Sequence, residues 1–91
     1  MNIEKILPIV EDARGTRYDL GIIKLVIRKR GTISADHEHP EAEVNYFISG
    51  QVKLTVGTES QIITAPVKVI IPLNVYHKIE AVTDFILLYE R

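Results

Sequence analysis

Three residues near the middle of the chain have the types and the spacing that suit one metal ion. His37 and His39 are two residues apart, and Glu43 follows four residues after His39. In an extended chain, side chains two residues apart leave the same face, so the two imidazoles can converge on one point. The interval 40–42, which starts with Pro40, lets the backbone bend and bring the carboxylate of Glu43 back to the same ion. At least one further ligand must come from elsewhere in the chain.

The remaining histidine of the sequence is His77, which follows a turn containing Pro72 and Asn74 and opens an alternating run. The two segments together resemble the cupin superfamily. Its first motif, G(X)5HXH(X)3,4E(X)6G, is matched without a spacing error by Gly31, His37, His39, Glu43 and Gly50. The resemblance covers roughly residues 20–90 and implies a small jelly-roll barrel that holds one divalent metal. The ligands it implies are His37, His39, Glu43 and His77.

The second cupin motif, G(X)5PXG(X)2H(X)3N, is matched more loosely. Pro72 and His77 fit it, whereas its two glycines and its asparagine are replaced by Pro66, Asn74 and Ala81. Asparagine tolerates the left-handed conformation that such a turn needs better than most residues do. Proline lacks a backbone donor, so we expect Pro66 at a strand end or in a turn. Neither change touches a ligand.

The expected donor set is chemically versatile. Imidazole suits Fe, Ni, Cu and Zn, and a carboxylate extends the set towards Mn; we expect one divalent ion such as Fe, Mn, Ni or Zn. Three imidazoles and one carboxylate on an octahedral ion would leave two positions open, as a catalytic metal requires. The competing interpretation makes His37 and His39 polar residues of a surface loop and His77 a core histidine. We favour the metal site because all three histidines of the chain fall at motif positions.

The residues after Glu43 predict the lining of the site. Residues 43–49 are typical of a strand, and the two-residue period places Asn45 and Phe47 on the same face as Glu43. We therefore expect these two side chains to contact the substrate. Arg14, Arg17 and the neighbouring Tyr18 could bind an anionic substrate at the barrel mouth, but an exposed loop is the favoured interpretation of that segment.

The remaining pattern indicates an all-β fold. Isoleucine and valine far outnumber alanine, and roughly eight short alternating runs are separated by turn residues. We expect a single domain over residues 1–91, a cupin-type jelly roll in which 1–19 form an N-terminal arm and loop and 20–91 form the barrel. The triplet 28–30 is interpreted as a solvated strand end.

Composition narrows the classes of function. The net charge is −1, and 46% of the residues are hydrophobic and 25% charged, so the composition does not indicate the basic surface that binds nucleic acid. No apolar run is long enough for a transmembrane helix, and no signal peptide is recognisable, so we expect a cytoplasmic protein that does not bind membranes. Without cysteine, thiolate chemistry is excluded. The small core, the apolar run 85–89 and the apolar N-terminal arm favour a homodimer.

Two functions agree with these features. The first is a metal-dependent enzyme, an oxygenase, isomerase or lyase, that acts on a small polar molecule. The second is a non-catalytic module that binds or senses a small ligand. The resemblance to cupins supports the metal better than any one reaction, because a fold hosts many functions.

Overall fold

Ten β-strands form the regular structure of residues 1–38 and 40–90, which are the residues that this computed structural model describes; the side chains of 35–37 lie outside that description. No helix occurs among these residues. The strands are β1 (Val10–Asp12), β2 (Gly15–Asp19), β3 (Ile23–Arg28), β4 (Ile33–His37), β5 (Glu43–Ser49), β6 (Gln51–Val56), β7 (Glu59–Thr64), β8 (Val67–Ile71), β9 (His77–Ala81) and β10 (Phe85–Glu90).

The strands form two antiparallel sheets. The large sheet has the order β1-β2-β3-β10-β5-β8, and the small sheet has the order β4-β9-β6-β7. The chain passes repeatedly from one sheet to the other, so strands that are neighbours in a sheet are often distant in sequence. This arrangement confirms the predicted all-β jelly roll.

The core lies between the sheets and follows strict alternation along the central strands. On β10, Phe85, Leu87 and Tyr89 are buried, whereas Ile86 and Leu88 lie on the opposite face. The small sheet contributes Val52, Leu54, Ile79 and Ala81 to the same core. Every second residue of these strands therefore points into the barrel.

One end of the barrel is sealed by contacts between its loops, and we call it the closed end. The amide of Gly31 donates to the carbonyl of Ala81, and the amide of Val82 donates to the carbonyl of Gln51. The amide of Arg30 also donates to a carboxylate oxygen of Asp84 at 2.7 Å. These bonds join the β3–β4, β5–β6 and β9–β10 connections, so the loops at this end support one another.

The other end, which we call the site end, contains the starts of β5 and β9 and therefore Glu43 and His77. Asn74, in the turn before His77, has a φ of 56°, which confirms the left-handed conformation predicted for it.

Pro66 lies between β7 and β8, which confirms its predicted place outside a strand.

The outer faces of the two sheets differ in polarity. The large sheet carries half-buried or exposed apolar side chains on its outer face: Ile23, Leu25, Ile27, Val44, Tyr46, Ile48, Ile70, Ile86 and Leu88. The outer face of the small sheet is more polar, with Lys53, Thr55, Lys78 and Glu80, although the exposed Ile33 and Ile62 also lie on it. A sheet that faces water on one side normally carries polar residues there.

The segment 11–19 differs from the loop predicted for it. Residues 15–19 form β2, which pairs with β3 in the large sheet, and β1 pairs in turn with β2. The local sequence contains Gly15 and several charges, which are typical of a loop. Hydrogen bonding to the edge of β3 nevertheless makes these residues part of the sheet, since sheet pairing overrides weak local preferences.

Candidate metal centre

Glu43 and His77 meet across the barrel interior. Glu43 is the first residue of β5 in the large sheet, and His77 is the first residue of β9 in the small sheet. Both side chains are buried, His77 to 1% exposure, and Nε2 of His77 lies 3.3 Å from Oε2 of Glu43. The two sheets thus bring together an imidazole and a carboxylate that are more than thirty residues apart in sequence.

The imidazole of His77 is oriented by its own turn. Its Nδ1 lies 3.2 Å from the backbone carbonyl oxygen of Val75. A carbonyl oxygen accepts hydrogen bonds and cannot donate them, so Nδ1 carries the proton in this contact. Nε2 of a neutral ring then presents its lone pair to Glu43. A backbone carbonyl that fixes the imidazole in this way is a common partner of metal-binding histidines.

The geometry of this pair fits two ligands of one ion. A lone pair and a carboxylate oxygen at 3.3 Å repel each other unless a positive charge lies between them, either a proton or a metal ion. Two donors bound about 2.1 Å from an ion in adjacent positions are roughly 3 Å apart. Glu43 and His77 therefore suit a divalent cation held inside the barrel.

The structure describes the other two predicted ligands less fully. The backbone of His37, the last residue of β4, is in register with His77, whose other neighbour in the small sheet is Val56 on β6. His39 lies outside the described residues. Within residues 1–38 and 40–90, with the side chains of 35–37 left aside, no group of three or more potential ligands occurs. The full ligand set stays a prediction.

Asn45 and Phe47 lie on the same face of β5 as Glu43, in the phase that the sequence predicts. The side chain of Asn45 is fully buried, with an exposure of 0%, and neither its oxygen nor its nitrogen has a hydrogen-bond partner within the described part of the chain. Phe47 lies further towards the closed end, where its ring centroid is 6.0 Å from that of Phe85. Asn45 thus provides polar groups beside the Glu43–His77 pair, and Phe47 is part of the apolar floor.

Two residues that the sequence did not predict to face inward do so in the structure. Tyr89 on β10 is in register with Asn45 and is buried, so it belongs to the surroundings of the site. An alternation of apolar and polar residues within 85–89 would have identified Tyr89 as inward-facing. The run is nearly all apolar, however, so its sequence does not distinguish the two faces of the strand. Arg28 is 8% exposed, so its interpretation as part of a solvated strand end is wrong. Lys29 and Arg30 are exposed, as expected.

The Cupin domain family matches residues 24–89, which include Glu43, His77 and both motif segments. The chain belongs to the cupin family. This result confirms the resemblance that the motif spacing predicts, and the match covers β4 to β9 completely and nearly all of β3 and β10.

Several solved structures are similar to this cupin. An RmlC-like cupin from Shewanella frigidimarina has 22% identity and a TM-score of 0.79, and the match covers 93% of this chain and 79% of that one. The capsular polysaccharide assembling protein CapF of Staphylococcus aureus has 25% identity and a TM-score of 0.74, with 97% of this chain and 28% of that one covered. A predicted oxalate decarboxylase from Thermotoga maritima has 21% identity and a TM-score of 0.68, over 74% of this chain and 61% of that one.

These similarities establish the fold. This cupin spans 60% of a Streptococcus pyogenes protein of unknown function and about a quarter of CapF, so neither gives it a substrate. A search of curated protein sequences finds no match to the chain. Within the described residues, no helix has the length and apolar character needed to cross a membrane.

Proposed function

We propose that this cupin binds one divalent metal ion through His37, His39, Glu43 and His77 and acts with it as an enzyme on a small polar molecule. The observation that carries the proposal is the buried Glu43–His77 pair, with 3.3 Å between Oε2 and Nε2. A carboxylate and an oriented imidazole inside an apolar barrel are costly to bury unless a cation holds them together. The metal, whether Fe, Mn, Ni or Zn, would supply Lewis-acid or redox chemistry when bound.

The protein side of the mechanism is positioning. His77 is held by the carbonyl of Val75, and Asn45 offers one donor group and one acceptor oxygen close to the pair. An amide of this kind recognises a carbonyl, carboxylate or hydroxyl group of a substrate. The apolar floor around Phe47 excludes water, which strengthens polar contacts in the site.

The ammonium group of Lys24, which lies near the site, is engaged elsewhere. Lys24 lies on the inner face of the large sheet at the site end. Its ammonium group donates hydrogen bonds to a carboxylate oxygen of Asp19 at 2.9 Å and to the carbonyl oxygen of Gly21 at 2.7 Å. Among the described residues, proton transfer would therefore fall to the ligand carboxylate Glu43 or to the buried phenol of Tyr89, which is in register with Asn45. This restriction favours reactions that the metal itself activates, such as those of oxygenases, isomerases and lyases.

The first experiment is elemental analysis of the purified protein together with two matched glutamate variants. Glu43→Gln should abolish near-stoichiometric Fe, Mn, Ni or Zn. Glu80→Gln makes the same chemical change on β9, but on the outer face, and should leave the metal in place. Equal metal content in both variants, or no metal after reconstitution of the wild type, would contradict the ligand assignment.

Turnover separates the enzyme from the alternative of a non-catalytic binding module. Similar structures include the predicted oxalate decarboxylase and a salicylate 1,2-dioxygenase of Pseudoaminobacter salicylatoxidans, which has 18% identity to this chain. Small carboxylates are therefore a reasonable first panel. Substrate-dependent turnover that disappears in His77→Ala would support the enzyme. Ligand binding without turnover with any of the four metals would favour the binding module.

We also propose that the protein is a homodimer, and we retain the expected cytoplasmic location. The apolar outer face of the large sheet supports the dimer, since Ile70 is 63% exposed and Ile48 is 46% exposed in the single chain. An isologous interface would cover this face in both copies. Sedimentation at micromolar concentration should give a dimer that Leu88→Lys on this face dissociates. Thr55→Lys on the outer face of the small sheet is the control and should leave the mass unchanged.

A further inference from the structure

A second polar cluster lies on the inner face of the large sheet at its closed end. Cross-strand register places Asp12, Gly15, Arg28 and Phe85 in one row across β1, β2, β3 and β10. Residues opposite each other in antiparallel strands project from the same face. Arg28 therefore points to the same side as Phe85, which is part of the core, and its side chain is more than nine-tenths buried.

Arg17 joins this row from the next position along β2. It is in register with Val26, so it shares the inner face and lies diagonally next to Arg28. Gly15 lies two residues before Arg17 on β2, opposite Arg28 on β3, and contributes no side chain. A Cβ at Gly15 would collide with the backbone carbonyl oxygen of Ile27, so only glycine fits at this position.

Within the described residues, the Nε atoms of Arg17 and Arg28 have no hydrogen-bond partner. Both atoms are buried, and neither guanidinium group forms an ion pair within residues 1–38 and 40–90. Asp12 supplies the carboxylate of this row, but its Oδ2 lies 3.6 Å from Nη2 of Arg14. Its Oδ1 accepts a hydrogen bond from the backbone amide of Arg14. Three guanidinium groups thus share one carboxylate.

This arrangement is electrostatically unfavourable for the protein alone. Burial lowers the pKa of Arg28, and the nearby charges of Arg14 and Arg17 lower it further, against opposing contributions from Asp12 and Tyr89. Arginine nevertheless stays protonated in proteins. A buried cation without a partner destabilises the fold, and an apolar residue of similar volume is often neutral or stabilising in its place. An anion from outside the chain would therefore stabilise the buried charge of Arg28.

We propose that Arg14, Arg17 and Arg28 form a receptor for a small oxyanion, either a phosphate or a carboxylate. Guanidinium groups bind both anions through paired N–H donors, and the buried Nε atoms of Arg17 and Arg28 supply the donors that are in place for this contact.

The receptor is distinct from the candidate metal centre. Phe85, the β10 partner of Arg28, is four residues from Tyr89, the β10 partner of Asn45. That spacing along a strand corresponds to about 13 Å. Arg17 is one row nearer to the metal centre, since it is in register with Val26 and through it with Leu87. The receptor contains none of the proposed metal ligands, so it does not depend on the proposed function.

The experiment is an NMR titration of the full-length protein that follows the arginine Nε–Hε resonances. Inorganic phosphate in one series and malonate in another should shift the signals of Arg17 and Arg28 in a saturable manner. Sodium chloride at matched ionic strength should not. Comparing the two series identifies which oxyanion the receptor prefers.

Variants test the assignment to these residues. Arg28→Met should weaken anion binding by at least about tenfold, the value expected for losing a hydrogen bond to a charged group. The same variant should be as stable as the wild type without anion. Arg30→Met removes an exposed charge two residues away and should bind the anion as the wild type does. His77→Ala should also bind it normally, because its change lies at the site end.

Three results would overturn the proposal. They are resonances that respond to neither anion, resonances that respond equally to chloride, and Arg28→Met binding as tightly as the wild type. Signals that shift with protein concentration and not with added anion would show that a carboxylate of a second copy fills the site, which also contradicts it. Should Arg28→Met fail to fold, Arg17→Gln and the wild-type titration give the same decision.

Discussion

The two ends of the barrel differ in what they bury and in how their loops are held. At the closed end, Phe85 and Val52 pack among apolar neighbours, and backbone hydrogen bonds join the connecting loops. At the site end, the inner face presents Glu43, Asn45 and His77 instead. Buried polar groups contribute little stability and cost much when they lack partners. We infer that the apolar part of the closed end stabilises the fold, whereas Glu43, Asn45 and His77 at the site end, like Arg28 at the closed end, are groups that the fold itself does not need.

Removing the Phe85 ring should give the largest loss of stability. The side chain is fully buried and contacts Phe47, so Phe85→Ala leaves a cavity and should lower the free energy of unfolding by about 3–5 kcal/mol. Chemical denaturation measures this change. Ile62→Ala, at an exposed position on β7, is the control and should stay within about 0.5 kcal/mol. A loss below about 1 kcal/mol for Phe85→Ala would refute the role of the closed end.

The two glycines that bracket the first motif should respond unequally to alanine. Both have positive φ, 82° at Gly31 and 90° at Gly50, so alanine is strained at either by about 1–2 kcal/mol. At Gly50 a Cβ would also overlap the carbonyl oxygen of Asp84 and lie 2.8 Å from Cα of Phe85, whereas nothing lies within 4 Å at Gly31. We expect Gly50→Ala to cost about 3 kcal/mol or more. Equal losses in the two variants would show that the closed end is not tightly packed around Gly50.

At the site end, replacing a buried polar group should cost nothing. Asn45→Leu keeps the number and branching of the side-chain heavy atoms and removes an amide without hydrogen-bond partners in the described chain, so metal-free protein should be unchanged or more stable by about 1–2 kcal/mol. The thermal midpoint of metal-free protein measures this change. Asn45→Asp, which adds a charge beside Glu43, should be destabilising. A clear loss in Asn45→Leu would mean that the amide supports the fold, and the contrast between the ends would then fail.

The smallest effect should come from exposed carboxylates, one at each end. A hydrogen bond from Lys24 and one from the amide of Gly21 lower the pKa of Asp19 at the site end. The hydrogen bond from the amide of Arg14 likewise lowers the pKa of Asp12 at the closed end. A carboxylate whose pKa is lower in the folded state than its value of 3.8 in the unfolded state stabilises the protein at a pH above 3.8. This contribution is lost as the pH falls through the pKa of the folded state.

Asp19→Asn and Asp12→Asn should therefore be slightly less stable than the wild type at neutral pH and equal to it at strongly acidic pH. Unfolding curves from neutral to acidic pH measure the gap. Similar small gaps would confirm that exposed charge does not distinguish the two ends. A gap that widens on acidification would have the wrong sign and would contradict the stated pKa shifts.

Much of the architecture and part of the site follow from local sequence. The two-residue period placed Asn45 and Phe47 on the same face as Glu43, because that period is a property of any extended chain. The left-handed conformation of Asn74 was predictable for a similar reason, since few residue types tolerate it. The meeting of Glu43 with His77 was expected only through the motif, because nothing local in either segment points to the other.

Strand β3 shows where such reasoning fails. Ile23, Leu25 and Ile27 alternate with Lys24, Val26 and Arg28, and hydrophobicity favours the isoleucine and leucine side as the inner face. The structure places Val26 and Arg28 inside instead. Alternation shows which residues share a face, but the partner strand decides which face turns inward, and β10 is almost sixty residues away.

The sequence by itself determined the family, the all-β class and the phase of strands such as β5, because spacing and alternation are local properties of the chain. The tertiary structure decided which face of the large sheet is buried, that residues 15–19 are a strand, and that Tyr89 and Arg28 point inward. These outcomes depend on hydrogen bonds and packing between segments distant in the chain, and their free energies are absent from any local window of residues.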